Sequence, residues 1–364
     1  MSDPVRISIV ATVRNEAAGV EAWLDGLLRQ TRQPDQIVIV DGGSFDGTIE
    51  AIERRAKHPA SPIELVSAPC SNISQGRNLA IDHAIGEVIV VTDAGTEADE
   101  HWLERLVQPI LEDGADVASG FFVPRLDTAW QRALAATALP TISEIDPTSF
   151  LPSSRSMAFK RGWFDAGVRY PEWLDYCEDL VWDLTMARAG ARFSFVQDAL
   201  VTIAVRPSPQ SFAVQYFRYA RGDGKAGLFP GRHALRYATY TALAVVLRRR
   251  RLPELVVTGV FAAAYVWRPI FRLRSRDLDR GTTIRESVTA IPLTIALRGL
   301  GDLAKMAGYP VGLAGRLRKY GMLGWRTTWP RVSPYGELFR PAALTTESQP
   351  PATSLSGESR VGPR

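Results

Sequence analysis

Three short runs of Val and Ile, Ile7–Val10, Ile37–Val40 and Val88–Val91, punctuate the first hundred residues, each followed by polar or turn-forming residues and then by a longer amphipathic stretch. Continuous apolar runs, unlike the in–out alternation of a half-exposed sheet, predict strands covered on both faces. The rhythm is βαβ, which predicts a mostly parallel central sheet with helices on both faces. Helices are predicted over Val20–Gln30, Thr48–Lys57, Ser74–Ala84 and Glu100–Glu112, with Asp46 and Ser74 as caps of two of them. A weaker strand, Val117–Val123, precedes an Ala-, Thr- and Pro-rich segment without clear periodicity. Farther on, a helix is expected over Glu178–Arg188 with Gly190 ending it. Two paired short strands, Phe193–Val196 and Leu200–Val205, and a helix over Gln210–Arg221 complete the reading.

Beyond this the pattern changes. Tyr237–Leu247 is almost uncharged, Arg248–Arg251 is a block of arginines, Leu255–Trp267 is uncharged again, and Arg268, Arg272, Arg274 and Arg276 follow. A full membrane span needs about 20 apolar residues, so each run is short by itself. Paired apolar segments bracketed by arginines suit an anionic cytoplasmic leaflet, as in-plane helices or as up to two short C-terminal spans. The expected organisation is therefore a catalytic-type α/β domain over residues 1–230, a helical membrane-associated region over 231–343, and a Ser/Pro/Gly-rich disordered tail over 344–364.

Charge sharpens this division. Residues 1–200 carry 17 Lys and Arg against 30 Asp and Glu, whereas residues 201–364 carry 26 against 9. With apolar runs beside it, the basic half points to an anionic membrane surface and not to nucleic acid. Overall composition, 46% hydrophobic and 23% charged, is that of a globular chain. Cys70 and Cys177 are too few and too far apart for a zinc ribbon or a disulfide framework, and the four histidines are scattered. The opening MSDPVRISIV lacks a cleavage pattern and reads as a first strand, so the expected location is the cytoplasmic face of the cell membrane.

In an open α/β sheet, ligands meet the residues just past the carboxyl ends of the strands. Here these are Thr12, Arg14, Asn15 and Glu16 after the first strand, Asp41, Gly42, Gly43 and Ser44 after the second, and Thr92, Asp93, Ala94 and Gly95 after Val88–Val91. The first turn has no G-x-G-x-x-G and the chain no Walker A loop, which disfavours nicotinamide dehydrogenases and P-loop phosphotransferases. Five segments in order, ISIVATVRNEA, IVIVDGGSFDGT, QGRNLAIDHAIGEVIVVTDAG, CEDLVWDLTMARAG and QYFRYARG, resemble those of the family 2 glycosyltransferases. These are inverting enzymes of the GT-A fold that use nucleotide-diphosphate sugars, and the resemblance covers roughly residues 5–225.

The resemblance implies that Glu16 and Asp41 bind the base and ribose, with Thr12 and Asn15 in the same turn, that Arg77 lies near the nucleotide, and that Asp93 lies near the ribose and the metal. Arg218, in the Gln-x-x-Arg position, is placed at the departing diphosphate, with Arg221 and Lys225 on the same helix face. Asp179 matches the family's base, and a position in the first turn of a helix favours its ionised form. Glu178 and Trp173 are the candidates for the acceptor side. One departure stands out: the family's Asp-x-Asp reads Asp93-Ala94-Gly95 here, which puts Mn²⁺ or Mg²⁺ dependence in question, with Asp93 as the one remaining metal ligand of the motif. The expected activity is inverting transfer of a sugar to a hydroxyl of a lipid-linked, polysaccharide or glycolipid acceptor. A non-catalytic nucleotide- or sugar-binding membrane scaffold is the alternative, and a retaining transferase of similar fold a third.

Overall fold

The computed structural model describes residues 4–273 and 284–321. In chain order the elements are β1 (Ile7–Val13), α1 (Val20–Leu28), β2 (Gln36–Asp41), α2 (Thr48–Ala56), β3 (Ile63–Ser67), α3 (Ile73–His83), β4 (Val88–Val91), β5 (Thr96–Ala98), α4 (Trp102–Leu111), β6 (Val117–Pro124) and α5 (Ala129–Ala138). There follow β7 (Met157–Lys160), α6 (Gly162–Asp165), α7 (Glu178–Arg188), β8 (Phe193–Ile203), α8 (Pro209–Ala226), α9 (Pro230–Arg249), α10 (Leu252–Arg272) and α11 (Ile284–Tyr320).

The three Val/Ile runs are the centre of one eight-stranded sheet of order β3-β2-β1-β4-β7-β6-β8-β5. Alternation sorts their side chains. Ile7, Ile9, Ile37, Ile39, Val88 and Val90 pack with α1, α2 and α4 on one face, while Val10, Val38, Val40, Ile89 and Val91 pack with α3 and with Phe164, Tyr170 and Trp182 on the other. Both faces are covered, which is why these strands read as unbroken apolar runs.

The sheet is more mixed than the sequence suggests. The block β3-β2-β1-β4 is parallel, as is β6-β8, but β7 runs antiparallel between β4 and β6, and β5 antiparallel on β8. The two short strands expected over residues 193–205 do not pair with each other. They are one strand, β8, lying along β6 with an irregularity in register between Ser119 and Phe121. Ser74 is not the cap of α3. Asn72 is, accepting from the Gln75 amide at 2.9 Å in a capping box, while Ser74 Oγ donates to the Leu174 carbonyl. Nor is Asp46 the cap of α2: that position is Gly47, although Asp46 just before it accepts from the Thr48 amide at 3.1 Å. The Ala-rich segment forms α5, opened by a Thr128–Gln131 capping box.

The C-terminal helices are built onto this domain through α8, which lies along α11, and α11 also packs on α5. The approach is close enough that a Cβ on Gly308 would stand 2.1 Å from the Phe217 carbonyl oxygen, and one on Gly312 2.0 Å from that of Arg221. Instead of two candidate spans there is one. Among the described helices only α10, 21 residues, is long and apolar enough to cross a membrane, whereas α9 carries Arg232, His233 and Arg236 into ion pairs with Asp223 and Asp302. Val256, Val257, Val260, Phe261, Trp267 and Phe271 of α10 are all exposed. The tail proposed over 344–364 lies outside the described residues.

Gly308→Ala is expected to destabilise the fold by about 1–3 kcal/mol, because the overlap is with a backbone carbonyl that no rotamer can relieve and outweighs the gain in helix propensity. Chemical unfolding of the purified variant checks this, with Gly259→Ala, whose Cβ meets nothing within 4 Å, as the control that should not lose stability.

Candidate active site

At the carboxyl ends of β1 and β2 the chain makes two turns that hold each other. Asp41 is 1% exposed, and its Oδ2 accepts from the amides of Gly43 at 2.9 Å and Ser44 at 3.0 Å, in a turn that Gly43 closes at φ +94°. Ser44 Oγ accepts from the Asn15 amide at 2.9 Å, and Asn15, itself left-handed at φ +58°, accepts from the Phe45 amide through Oδ1 at 3.1 Å. Glu16 donates its amide to Thr48 Oγ1 at 2.8 Å. The backbone of this turn is thereby fixed and the Glu16 carboxylate left facing Gly95, where a Cβ would lie 3.9 Å from its Oε2. Burial, then the nearby Asp46, raise the pKa of Glu16, with Asp93 adding to them and Arg206 opposing. Thr12 is more structural: its Cγ2 fills the space that a Cβ on Gly76 would need, so β1 and α3 meet closely there.

The centre of the site is Arg77. The Asn72 cap sets the start of α3, and one turn later Arg77, 2% exposed, passes beneath the end of β4. Its Nη2 donates to Asp93 Oδ1 at 2.9 Å and its Nη1 to Glu178 Oε1 at 2.7 Å, with the guanidinium 5.4 Å from the centre of the Tyr170 ring. Burial works against its charge, but the two carboxylates more than compensate and hold it protonated. Arg155 Nε approaches the other oxygen of Asp93 at 3.9 Å.

Glu178 and Asp179 open α7 after Cys177, which takes a left-handed φ of +62°. That turn is pressed against α8 where Gly222 has no side chain. A Cβ there would lie 2.7 Å from the Tyr176 carbonyl oxygen and 2.9 Å from Cys177 Sγ. Adjacent helix positions point about 100° apart, so the two carboxylates separate. Glu178 turns inward to Arg77, and burial followed by the charge of Asp179 pushes its pKa up to about 7 against the pull of that guanidinium. Asp179 is half-buried, accepts from the Leu180 amide at 2.8 Å, and lines the cavity. One turn farther along α7, Asp183 is 1% exposed and neither carboxylate oxygen has a hydrogen-bond partner. Burial, reinforced by Asp179, raises its pKa well above the carboxylate range. The sequence reading missed Asp183, although an acid four residues after Asp179, one helical turn on, was visible in EDLVWD.

The cavity has a volume of about 1070 Å³. Of the residues singled out from sequence it gathers Arg77, Asp93, Glu178, Asp179 and Arg218, with the Asn15, Glu16 and Asp41 turns outside its lining. Arg218 donates to the Tyr176 hydroxyl at 3.2 Å and has no ion pair among the described residues. The other α8 cations differ. Arg221 and Lys225 both engage Asp175, Lys225 at 2.9 Å, and so tie α8 to the segment before α7. Trp173 does not line the cavity; its ring meets Tyr320 edge-on and lies 4.1 Å from Lys319 Nζ. Aromatic faces come instead from Tyr176 and Tyr219, whose rings sit 6.1 Å apart. Among the described residues no three His, Cys, Asp or Glu side chains are grouped to hold a metal ion.

Glu178 and Asp183 bind protons more tightly folded than unfolded, so each contributes stability that is present below about pH 4 and lost as pH rises through its folded pKa. The contribution of these two acids is therefore expected to decline as pH rises above 4, and Asp183→Asn to remove its part of that decline. Urea unfolding across this range checks it; an unchanged slope in the variant would show that Asp183 is not protonated in the fold.

Comparison with known proteins agrees with the fold. The chain is 26% identical over 223 residues to a glycosyltransferase, AglE, of Haloferax volcanii, covering 60% of this chain and 72% of that one. It is 27% identical over 119 residues to a cholesterol galactosyltransferase of Borreliella burgdorferi and 29% over 142 residues to an undecaprenyl-phosphate 4-deoxy-4-formamido-L-arabinose transferase of Serratia proteamaculans, spanning 33% and 42% of those relatives. A solved mannosyltransferase of Pyrobaculum calidifontis, in complex with GDP-Man and Mn²⁺, shares the fold at a TM-score of 0.51 and 20% identity, covering 88% of this chain and 89% of that one. The family model for glycosyl transferase family 2 matches residues 8–164, which include every sequence-predicted site residue up to Asp93, so this part of the chain is similar to that family.

Proposed function

We propose that the chain is an inverting glycosyltransferase that moves a sugar from a nucleotide-diphosphate sugar to a hydroxyl of a lipid-linked or saccharide acceptor. The observation that carries this reading is the separation of the paired acids at the start of α7: Glu178 is locked to Arg77, and Asp179 lines the cavity with no ion pair among the described residues. In this scheme Asp179 takes the proton of the acceptor hydroxyl as its oxygen forms a bond to the anomeric carbon. The bond from that carbon to the donor phosphate breaks on the opposite face, and the nucleoside diphosphate leaves with the electron pair. Arg218 and Arg206, both lining the cavity and neither in an ion pair among the described residues, are suited to the charge of that diphosphate. Glu16 and the turn braced by Asp41 lie where the base and ribose would rest.

The residues fit a divalent cation only in company. Asp93 presents one oxygen to Arg77 and stands about one-third exposed, Gly95 offers no carboxylate, and Glu16 is the nearest other acid to that position. Asp93, with oxygens of the donor diphosphate, would hold Mn²⁺ or Mg²⁺, which supplies neutralisation of the leaving group. A solved structure of the same fold was obtained with Mn²⁺, which supports the reading.

The exposed apolar face of α10, preceded by Arg248–Arg251, supports an in-plane or inserted seat on an anionic membrane, at the cytoplasmic face.

Asp179→Asn is expected to lower turnover by about 10²- to 10⁴-fold. Binding of the nucleoside diphosphate should survive: whichever of UDP, GDP or dTDP stabilises the wild type should give the same shift, about 2.7 kcal/mol at 100 times Kd, in the variant. Unchanged turnover would leave the fold as a binding scaffold. In vesicle flotation, replacing Arg248–Arg251 by Gln should weaken binding to vesicles rich in anionic lipid by about 1 kcal/mol per arginine, an effect that high salt erases; equal flotation on neutral vesicles would remove the electrostatic seat.

A further inference from the structure

The cavity that Asp179 and Arg218 line is also walled by residues of α8, α10 and α11. Two cations project there from α11, Arg298 and Lys305, and neither makes a hydrogen bond or ion pair among the described residues. They are held by ring faces instead: Lys305 Nζ lies 4.3 Å from the centre of the Tyr216 ring, and the Arg298 guanidinium 4.4 Å from that of Tyr265. The nearest acid, Asp302, is already committed, accepting from Arg236 Nε at 2.8 Å and from the hydroxyls of Tyr240 and Tyr265. Arg298 Nε and Arg232 Nε are buried without acceptors. Two cations brought together in a partly desolvated chamber, with the one local carboxylate spent elsewhere, are unfavourable until an anion arrives.

The outer wall says what carries that anion. Ala264, Tyr265 and Arg268 of α10 line the chamber, while the same helix turns Val260, Phe261, Trp267 and Phe271 outward. An anionic head placed between Arg298 and Lys305 thus has an apolar helix beside it for a hydrocarbon tail to follow. We propose that the part of the cavity walled by α8, α10 and α11 binds the phosphate group of a lipid-phosphate-linked saccharide acceptor through Arg298 and Lys305, which leaves a hydroxyl of its saccharide, and not the phosphate, to meet Asp179. This rests on the glycosyl-transfer reading and specifies its acceptor as anionic.

Burial first, then Arg232 and Arg236 of α9, lower the pKa of Lys305 to about 7, with Asp302 opposing. The groups that face it are Arg232 and Arg236, Arg298 and Asp302 of its own helix, and Tyr216 of α8, with Tyr265 of α10 joined to Asp302. Binding an anion restores its proton, so affinity should fall as pH rises through and above 7.

The test uses the full chain in detergent and three probes, octyl phosphate, octanol and inorganic phosphate, titrated calorimetrically with and without a saturating nucleoside diphosphate. Octyl phosphate is expected to bind, alongside the nucleotide, at least tenfold tighter than either other probe. Lys305→Gln and Arg298→Gln should each weaken it about tenfold or more while the nucleotide-induced rise in Tm stays unchanged, which also shows that the variants fold. Lys305→Arg should keep the affinity and lose its fall between pH 6 and 9. Octanol binding as tightly as octyl phosphate, inorganic phosphate binding equally well, or displacement of octyl phosphate by the nucleotide would each overturn the proposal. Nucleotide binding with no response to octyl phosphate would overturn it and leave glycosyl transfer standing, whereas no response to either would count against both.

Discussion

The site depends on one buried guanidinium. Arg77 comes from α3, Asp93 from the end of β4 and Glu178 from the start of α7, elements that share no continuous stretch of chain, and the three side chains meet at 2.9 and 2.7 Å with the cation almost wholly out of water. Removing either carboxylate would strand part of a buried charge, a penalty of about 3–5 kcal/mol when such pairs are broken. The same contact decides which acid is left for chemistry. With Glu178 committed inward, the 100° turn to the next helix position leaves Asp179 toward the cavity. The position of Asp179, the proposed base, is thus a consequence of the ion pair behind it.

Much of this was legible in the sequence because it rests on local patterns. Ile7–Val10, Ile37–Val40 and Val88–Val91 had to be strands buried on both faces, and the polar residues after them had to meet at one edge of the sheet. Where the pattern was weak, the reading was weak for a physical reason. IELVS in β3 is an edge strand with only Ile63 fully buried, so it lacks an apolar run, and β7 gave no sign of its antiparallel insertion because register is a tertiary property. Asn72 outcompeted Ser74 as the cap because Gln75 stands three residues later to return the bond, a signature that was present but assigned two positions off.

The site was legible as a set of residue types and not as a set of partnerships. Arg221 and Lys225 share a helix face with Arg218, which suggested three cations for one diphosphate, but Asp175 draws both of them to itself. Asp41 ends a strand as expected, yet its carboxylate is occupied by the amides of its own turn. Trp173 lies close in sequence to the acids, but Lys319 and Tyr320 take its ring. No spacing rule shows such competition for partners, since it is settled by which groups the fold brings together, from the next turn for Asp41 to a distant helix for Trp173.

The division of charge along the chain gains a meaning once α8 and α11 are seen to lie in contact through Gly308 and Gly312. Without that contact the acidic domain and the basic helices would be separate regions with opposite fields. With it, Asp93, Glu178 and Asp179 form one side of a single cavity and Arg298 and Lys305 the other. Such a cavity is polarised along its length, so a ligand with a neutral hydroxyl at one end and an anion at the other has one favoured orientation, with the hydroxyl at the acids. In the proposed reaction an anionic donor phosphate is drawn to Arg206 and Arg218 and, through a cation, to Asp93, away from the place beside Asp179 that the hydroxyl must occupy. Orientation of both substrates then follows from where the unpaired charges lie, and the side chains that line the middle of the cavity need contribute shape alone.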